Sequence, residues 1–211
     1  MASTIYLIRH AESLHNTTKN FSLRDPSLTD LGTAQSAALG TSFPALATTA
    51  VILASPLTRT IETTLAAFGS LVNNTTRNKA VALFLTPDLQ ERSALPCDTG
   101  TPLPALVARF PQLEEAIREG IPEEGDWFVK EGEYAEDDEA VRKRAGRVRE
   151  RLARLARALE AEGGERRDVV VVTHGVFMKF LAEDEEIDLP KAGWKAYTVE
   201  EGGEGLELVP V

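Results

Sequence analysis

The chain has 211 residues, 43% of them hydrophobic and 27% charged, with a formal net charge of -10. That content is enough for one sizeable core and argues against global disorder, while the acidic balance argues against nucleic acid or an anionic membrane as main partner, since either would repel the chain at long range. Cys97 is the lone cysteine, so neither an intrachain disulfide framework nor a cysteine-rich zinc site is available.

In chain order, Thr4 to Ile8 is a short apolar run rich in β-branched and aromatic residues, and it ends abruptly in Arg9-His10. This reads as a buried strand delivering two functional side chains to its carboxyl edge, where open α/β sheets bind ligands. Taken alone, the stretch also fits a strand that merely ends in polar residues. No basic leader precedes it and no apolar run is long enough to span a bilayer. A cytoplasmic protein is expected, in which the glycosylation-type triplets at Asn16 and Asn73 have no consequence.

Ser27 to Gln35 reads as a helix entry with Thr29 as N-cap, the helix running to Phe43 and stopping at Pro44. Val51–Ala54 reads as a second buried strand, with Pro56 at the first position of the helix that follows. Leu57, Ile61, Leu65 and Phe68 share one face of that helix, which sets Arg59 in its first turn, roughly opposite the core and at the rim of the sheet. Asn73 to Lys79 is expected to be a polar loop and Ala80–Leu85 a third strand. Just beyond it lies Glu91, a candidate general acid, although a solvated loop carboxylate is the plainer reading of that residue alone.

Ser93 to Ala135 is rich in Pro and Gly and reads as an irregular insertion with one short helix, Leu103 to Phe110. Such loops often form lids or binding walls, so substrate selectivity is placed here. Cys97 reads as a bystander. Glu136-Asp137-Asp138-Glu139 then opens the clearest helix, with Val141, Ala145, Val148, Leu152, Leu155 and Leu159 as its apolar stripe and Gly163-Gly164 as its end. Its many arginines read as a solvated face making local ion pairs rather than as a polyanion site. Asp168–Thr173, with four consecutive valines, reads as a central strand, and His174-Gly175 lies at the start of a further helix, a geometry suited to holding an anion. Trp194 to Val199 and Leu206 to Val209 form a hairpin at the sheet edge.

Leu7-Ile8-Arg9-His10-Ala11-Glu12-Ser13 with Asn16, Leu28-Thr29 to Gly32 with Gln35, Ser55-Pro56-Leu57-Thr58-Arg59-Thr60-Ile61-Glu62-Thr63, Leu89-Gln90-Glu91, and Thr173-His174-Gly175 occur in this order. Together they resemble the motifs of the histidine phosphatase superfamily, also called phosphoglycerate mutase-like. The resemblance implies an α/β fold, a three-layer α/β/α sandwich around a mixed, mostly parallel sheet. One domain is expected over residues 1–211, with an insertion at about 93–135. It further implies metal-independent phosphoryl transfer through a phosphohistidine, with no cofactor and a small phosphorylated molecule as partner.

The residues suit that chemistry. Arg9, Arg59 and His174 can hold the phosphoryl oxygens, with Asn16 as a neutral donor and Gly175 at the helix start. Neutral His10 would attack phosphorus, and Glu91 would protonate the leaving alkoxide and then activate water. Two departures stand out. Ala11 occupies the place of the commoner glycine, and Glu91-Arg92-Ser93-Ala94-Leu95 lacks the Tyr-Gly that follows Glu-Arg in cofactor-dependent mutases, as well as a recognisable second set of basic residues. A hydrolase is therefore expected over a mutase or phosphotransferase, and over a non-catalytic phospholigand binder. Substrate identity and oligomeric state are left open.

Overall fold

Six strands form one sheet in the order β3-β2-β4-β1-β5-β6 in a computed structural model that describes residues 2–72, 81–124, 126–203 and 205–211. The strands β1 (Ile5–Arg9), β2 (Thr49–Ala54), β3 (Ala82–Leu85) and β4 (Asp168–Thr173) run parallel. β5 (Trp194–Gly202) and β6 (Gly205–Pro210) add antiparallel to the β1 side. Val169 to Val172 are fully buried, as a strand covered on both faces requires. The expected loop at 73–79, the Asn73 triplet and the start of the third strand at Ala80 lie outside the described residues.

Alternation along each strand sorts the core into two halves. The short α1 (Leu14–Thr18) follows the turn after β1, and Ile8, Ile52, Ala54, Val170 and Val172 face α2 (Asp30–Ser42), α3 (Thr58–Val72), α4 (Leu103–Arg109) and α5 (Glu114–Gly120). Ile5, Leu7, Leu53, Val169 and Val171 face α6 (Asp138–Glu162) and α7 (Gly175–Ala182). The result is a three-layer α/β/α sandwich whose mixed sheet is mostly parallel. Among the described residues, no helix is long and apolar enough to cross a membrane.

Three expectations need correction. Helix α3 begins at Thr58, two residues beyond Pro56, because Leu57 supplies the first helical carbonyl, accepting from the N–H groups of Thr60 and Ile61. The 93–135 stretch is not irregular. It carries α4, α5 and 3-10 turns at Pro96–Asp98, Pro111–Leu113 and Gly132–Tyr134, and it buries Leu106, Phe110, Leu113, Ile117, Trp127 and Phe128 in the core. Prolines at positions 96, 102 and 111 open helical turns there rather than break structure. On α6 Val141, Ala145, Val148 and Leu152 of the expected stripe are buried and Leu155 and Leu159 partly so, and Arg142–Asp138 and Lys143–Glu139 pair one turn apart, but Arg144 is fully buried rather than solvated.

Several residues of the sequence motifs serve as struts for the turn after β1. Thr63 Oγ1 accepts the Ala11 N–H, Gln35 Oε1 accepts the Glu12 N–H, and Glu62 accepts the Leu28 N–H. Thr29 caps α2 by accepting from Gly32 N, and its hydroxyl donates to Glu12 Oε1. Gly32 packs so tightly that a Cβ there would sit 1.9 Å from the Glu12 carbonyl oxygen. In an exposed helix, Gly→Ala would gain up to about 1 kcal/mol. Here the clash dominates, and Gly32→Ala is expected to destabilise the protein by about 1 to 3 kcal/mol in urea unfolding; an unchanged or raised midpoint would contradict this close approach.

Candidate active site

The loops beyond the carboxyl ends of β1, β2 and β4 close around a cavity of about 310 Å³, lined among others by Arg9, His10, Asn16, Arg59, Glu91 and Gly175. Of the residues expected from sequence, only His174 is absent from the lining. It lies fully buried behind Arg59, its ring centroid 5.2 Å from that of His10. All seven are thus brought to one place.

His10 follows the last residue of β1 and extends the ladder, its N–H donating to Thr173 O at 2.9 Å. Its Nδ1 lies 2.7 Å from the Ala11 carbonyl, a bond only a protonated nitrogen can make. Nε2 is left with its lone pair, which accepts the Arg59 Nε–H at 3.3 Å. His174 has the mirror assignment: Nδ1 accepts from Arg59 Nη2 at 3.0 Å, so Nε2–H donates to Ser55 Oγ at 2.9 Å. Burial, with Arg59 adding to it, holds both imidazoles well below the usual histidine range, so both are neutral. Ala11, at the first departure from the motif, is fully buried and does not line the cavity.

Arg59 stands at the carboxyl edge of the sheet, as its place in the first turn implies, but it is only 1% exposed. Besides the two histidines it bonds the Cys97 carbonyl through Nη1 at 2.7 Å and Asp98 Oδ1 through Nη2 at 2.8 Å. Asp98 is in turn held by the Ser93 hydroxyl at 2.6 Å. The Cys97 thiol is pushed up to about 11 by burial and Asp98, which keeps it protonated at neutral pH. Arg9 bonds Asp188 and the Leu189 carbonyl through Nη1, while its Nε is buried with no partner among the described residues. A Cβ on residue 175 would lie 3.1 Å from the Arg9 guanidinium, so Gly175 makes room for that cation.

Glu91 accepts three backbone N–H groups: Arg92 (2.8 Å) and Phe177 (2.9 Å) on Oε1, and Val176 (3.1 Å) on Oε2. Two of these are orphan donors at the start of α7. Asn16 belongs to a closed ring in which its Nδ2 donates to His15 Nε2, His15 Nδ1 donates to Ser13 Oγ, and the Ser13 hydroxyl donates to Asn16 Oδ1. One Asn16 amide hydrogen is left over.

The sequence reading passed over five residues here. His15 lies within the first motif, and burial with Arg59 pushes it down to about 4. Asp98 and Lys191 line the cavity; burial, Arg9 and Arg59 bring Lys191 down to about 8, and it forms no ion pair with a described carboxylate. Lys130 donates to Gln90 Oε1 and to the Glu91 carbonyl, and Arg144 Nη1 donates to the Gln90 carbonyl at 2.6 Å. Only His15 carried a local signal, a third histidine beside Ser13 and Asn16.

No curated protein sequence matches the chain, but a family model described as histidine phosphatase superfamily (branch 1) matches residues 5–202. Solved structures share the fold across almost their full lengths. An ecdysone phosphate phosphatase from Bombix mori, in complex with tungstate, has TM-score 0.62 and 16% identity over 99% of this chain and 92% of its own. A mycobacterial glucosyl-3-phosphoglycerate phosphatase complexed with VO3 has TM-score 0.59 and 19% identity, with 99% and 97% covered. A phosphoserine phosphatase mutant from Entamoeba histolytica, in complex with phosphoserine, has TM-score 0.52 and 17% identity, with 98% and 94% covered. The match from β1 into the final hairpin includes every motif that builds the cavity, and the chain belongs to the histidine phosphatase superfamily, branch 1.

Proposed function

We propose that the chain is a metal-independent phosphomonoester hydrolase acting through a phosphohistidine on His10, with a small phosphorylated molecule as substrate. The observation that carries this reading is the tautomer of His10: Nδ1–H is tied to the Ala11 carbonyl, so Nε2 presents its lone pair beside Arg59 at the cavity. The three phosphatases reported above, whose partners include tungstate, VO3 and phosphoserine, lend support by likeness of fold.

In the first step His10 Nε2 forms a bond to phosphorus as the bond to the ester oxygen breaks, and Glu91 gives that oxygen its proton. Glu91 Oε2 accepts only the Val176 N–H, which leaves an acceptor position for such a proton. In the second step Glu91, now a carboxylate, takes a proton from water, the oxygen attacks phosphorus, and the bond to His10 breaks to release inorganic phosphate. Arg9, Arg59 and Lys191 hold the negative charge, His174 adding a donor once its proton moves from Nε2 to Nδ1, and the unpartnered Arg9 Nε–H is one donor available to it. The 93–135 segment supplies one wall of the cavity through Ser93, Leu95, Cys97 and Asp98, within what we read as a single domain.

Phosphate release should survive excess EDTA and disappear in His10→Ala; loss of turnover in EDTA, or a fully active variant, would contradict the mechanism. Glu91→Gln should lose on the order of 10² to 10⁴-fold on alkyl esters and clearly less on p-nitrophenyl phosphate, whose leaving group needs no proton. Equal losses on both would remove Glu91 from the general-acid role.

The buried neutral histidines also predict a pH dependence of stability. His10, His15 and His174 have folded pKa values below the unfolded 6.5, so below that pH the unfolded chain binds more protons and stability falls as pH falls. The loss should begin near pH 6.5 and continue towards about 4 for His15, at up to about 1.4 kcal/mol per pH unit per histidine. A urea midpoint that stays flat from pH 7 to pH 5 would contradict it.

A further inference from the structure

Large apolar side chains scattered singly over a surface need no explanation. Three of the eight that stand exposed among the described residues gather in one place: Phe21, Leu95 and Val176, at 48%, 48% and 44% exposure, all line the cavity that contains His10 and Arg59. We propose that they form a subsite for the alcohol part of the substrate, and that the preferred substrate is a phosphomonoester of an apolar alcohol, alkyl or aryl. Esters of a polyol, an amino acid or a hydroxy acid fit it less well. This inference rests on the hydrolase reading above and deepens it.

Position is the first argument. Val176 donates its N–H to the Glu91 carboxylate, so its side chain stands beside the group that protonates the departing oxygen. Whatever that oxygen carries must pass Val176. Rigidity is the second. The Phe21 carbonyl accepts the Cys97 N–H at 3.1 Å, the Asp25 N–H donates to the Pro96 carbonyl at 3.3 Å, and the Leu95 carbonyl accepts the Asp98 N–H at 2.8 Å. The two segments bearing Phe21 and Leu95 are thus laced into one wall, formed before any ligand arrives.

The third argument is what the neighbouring polar groups cannot do. The Ser93 hydroxyl is engaged by Asp98, and Arg92 is paired with Asp138 at 2.8 Å while its Nε donates to the Glu136 carbonyl. The Ser93 hydrogen is thus spent, and the Arg92 guanidinium is drawn towards Asp138 and Glu136, with Nη1 its one nitrogen that has no partner among the described residues. Lys191 acts on His10, beside Arg59, and so belongs to the phosphate end. A substrate with a polar second half would find few uncommitted partners on this wall, whereas an apolar one covers exposed carbon.

The test reads binding as well as turnover. Hexylphosphonate and methylphosphonate, which present the same phosphonate head and cannot be hydrolysed, are titrated calorimetrically into wild type and Phe21→Ser/Leu95→Ser, with displacement by inorganic phosphate as the control for site. Wild type is expected to bind hexylphosphonate roughly tenfold or more tightly than methylphosphonate. The double variant, whose changes are at exposed positions, should shrink that ratio to within about threefold. Equal affinities in wild type, or a ratio that survives the double substitution, would overturn the subsite. A large ratio in a protein that hydrolyses no ester would keep the subsite and sink the hydrolase reading. In turnover, hexyl phosphate should exceed glycerol 3-phosphate in kcat/KM despite its poorer leaving group, and the reverse order would count against the inference.

Discussion

The guanidinium of Arg59 is the charge around which the site is assembled. A buried cation is costly unless its donors are met, and breaking such a pair typically costs about 3 to 5 kcal/mol. Arg59 meets its donors with four groups from three parts of the chain: His10 after β1, His174 after β4, and the Cys97 carbonyl and Asp98 carboxylate from the Pro96–Asp98 turn. It is itself placed by the first turn of α3, which Asp25 fixes by accepting from the Thr58 N–H and hydroxyl. Satisfying one charge therefore fixes the spacing of His10, His174 and the cavity wall together.

That arrangement also fits the cavity to a dianion. Without ligand, Arg59 directs Nε–H and one Nη2–H at neutral imidazoles. A phosphoryl group offers charged acceptors in their place, and charge-assisted bonds are roughly twice as strong as neutral ones. On the proposed mechanism, the exchange would free the His10 lone pair for attack. It also leaves His174 needing a new arrangement, and Ser55 can support either tautomer, because a hydroxyl both accepts and donates. Although the chain carries a net charge of -10, Arg9, Arg59 and Lys191 converge here, so the local field opposes the global one.

What the sequence showed and what it hid follow from the same physics. Strands β1, β2 and β4 were readable as apolar runs, and because a strand hands its next residue to the carboxyl edge, Arg9, His10 and His174 could be placed without any tertiary knowledge. Glu91 was legible as a residue just past a strand, but its acceptance of α7 N–H groups was not, since 85 and 86 positions separate the partners. Asp98, Lys130 and Lys191 carried no periodic or motif signal, and they matter only through groups distant in sequence. Arg144 was hidden for another reason. On an arginine-rich helix nothing local distinguishes the one side chain that turns inward, over the Phe177 ring at 4.4 Å.

Those hidden residues decide where Glu91 stands. Its carboxylate is gripped by the first turn of α7, and its main chain is gripped from the other side by Lys130, with Arg144 holding the adjacent Gln90 carbonyl. Proton transfer tolerates little displacement, because donor and acceptor must come within hydrogen-bond reach. Placement of the acid therefore depends on α6, α7 and the 93–135 segment jointly, not on the strand that delivers it. Val176 belongs to the same grip, its N–H on the carboxylate and its side chain on the cavity wall, so the group proposed to meet the leaving alcohol and the group proposed to protonate it cannot move independently. On that reading selectivity and chemistry would be coupled through one residue of α7, and a change in the alcohol that shifts Val176 would be felt by Glu91 as well.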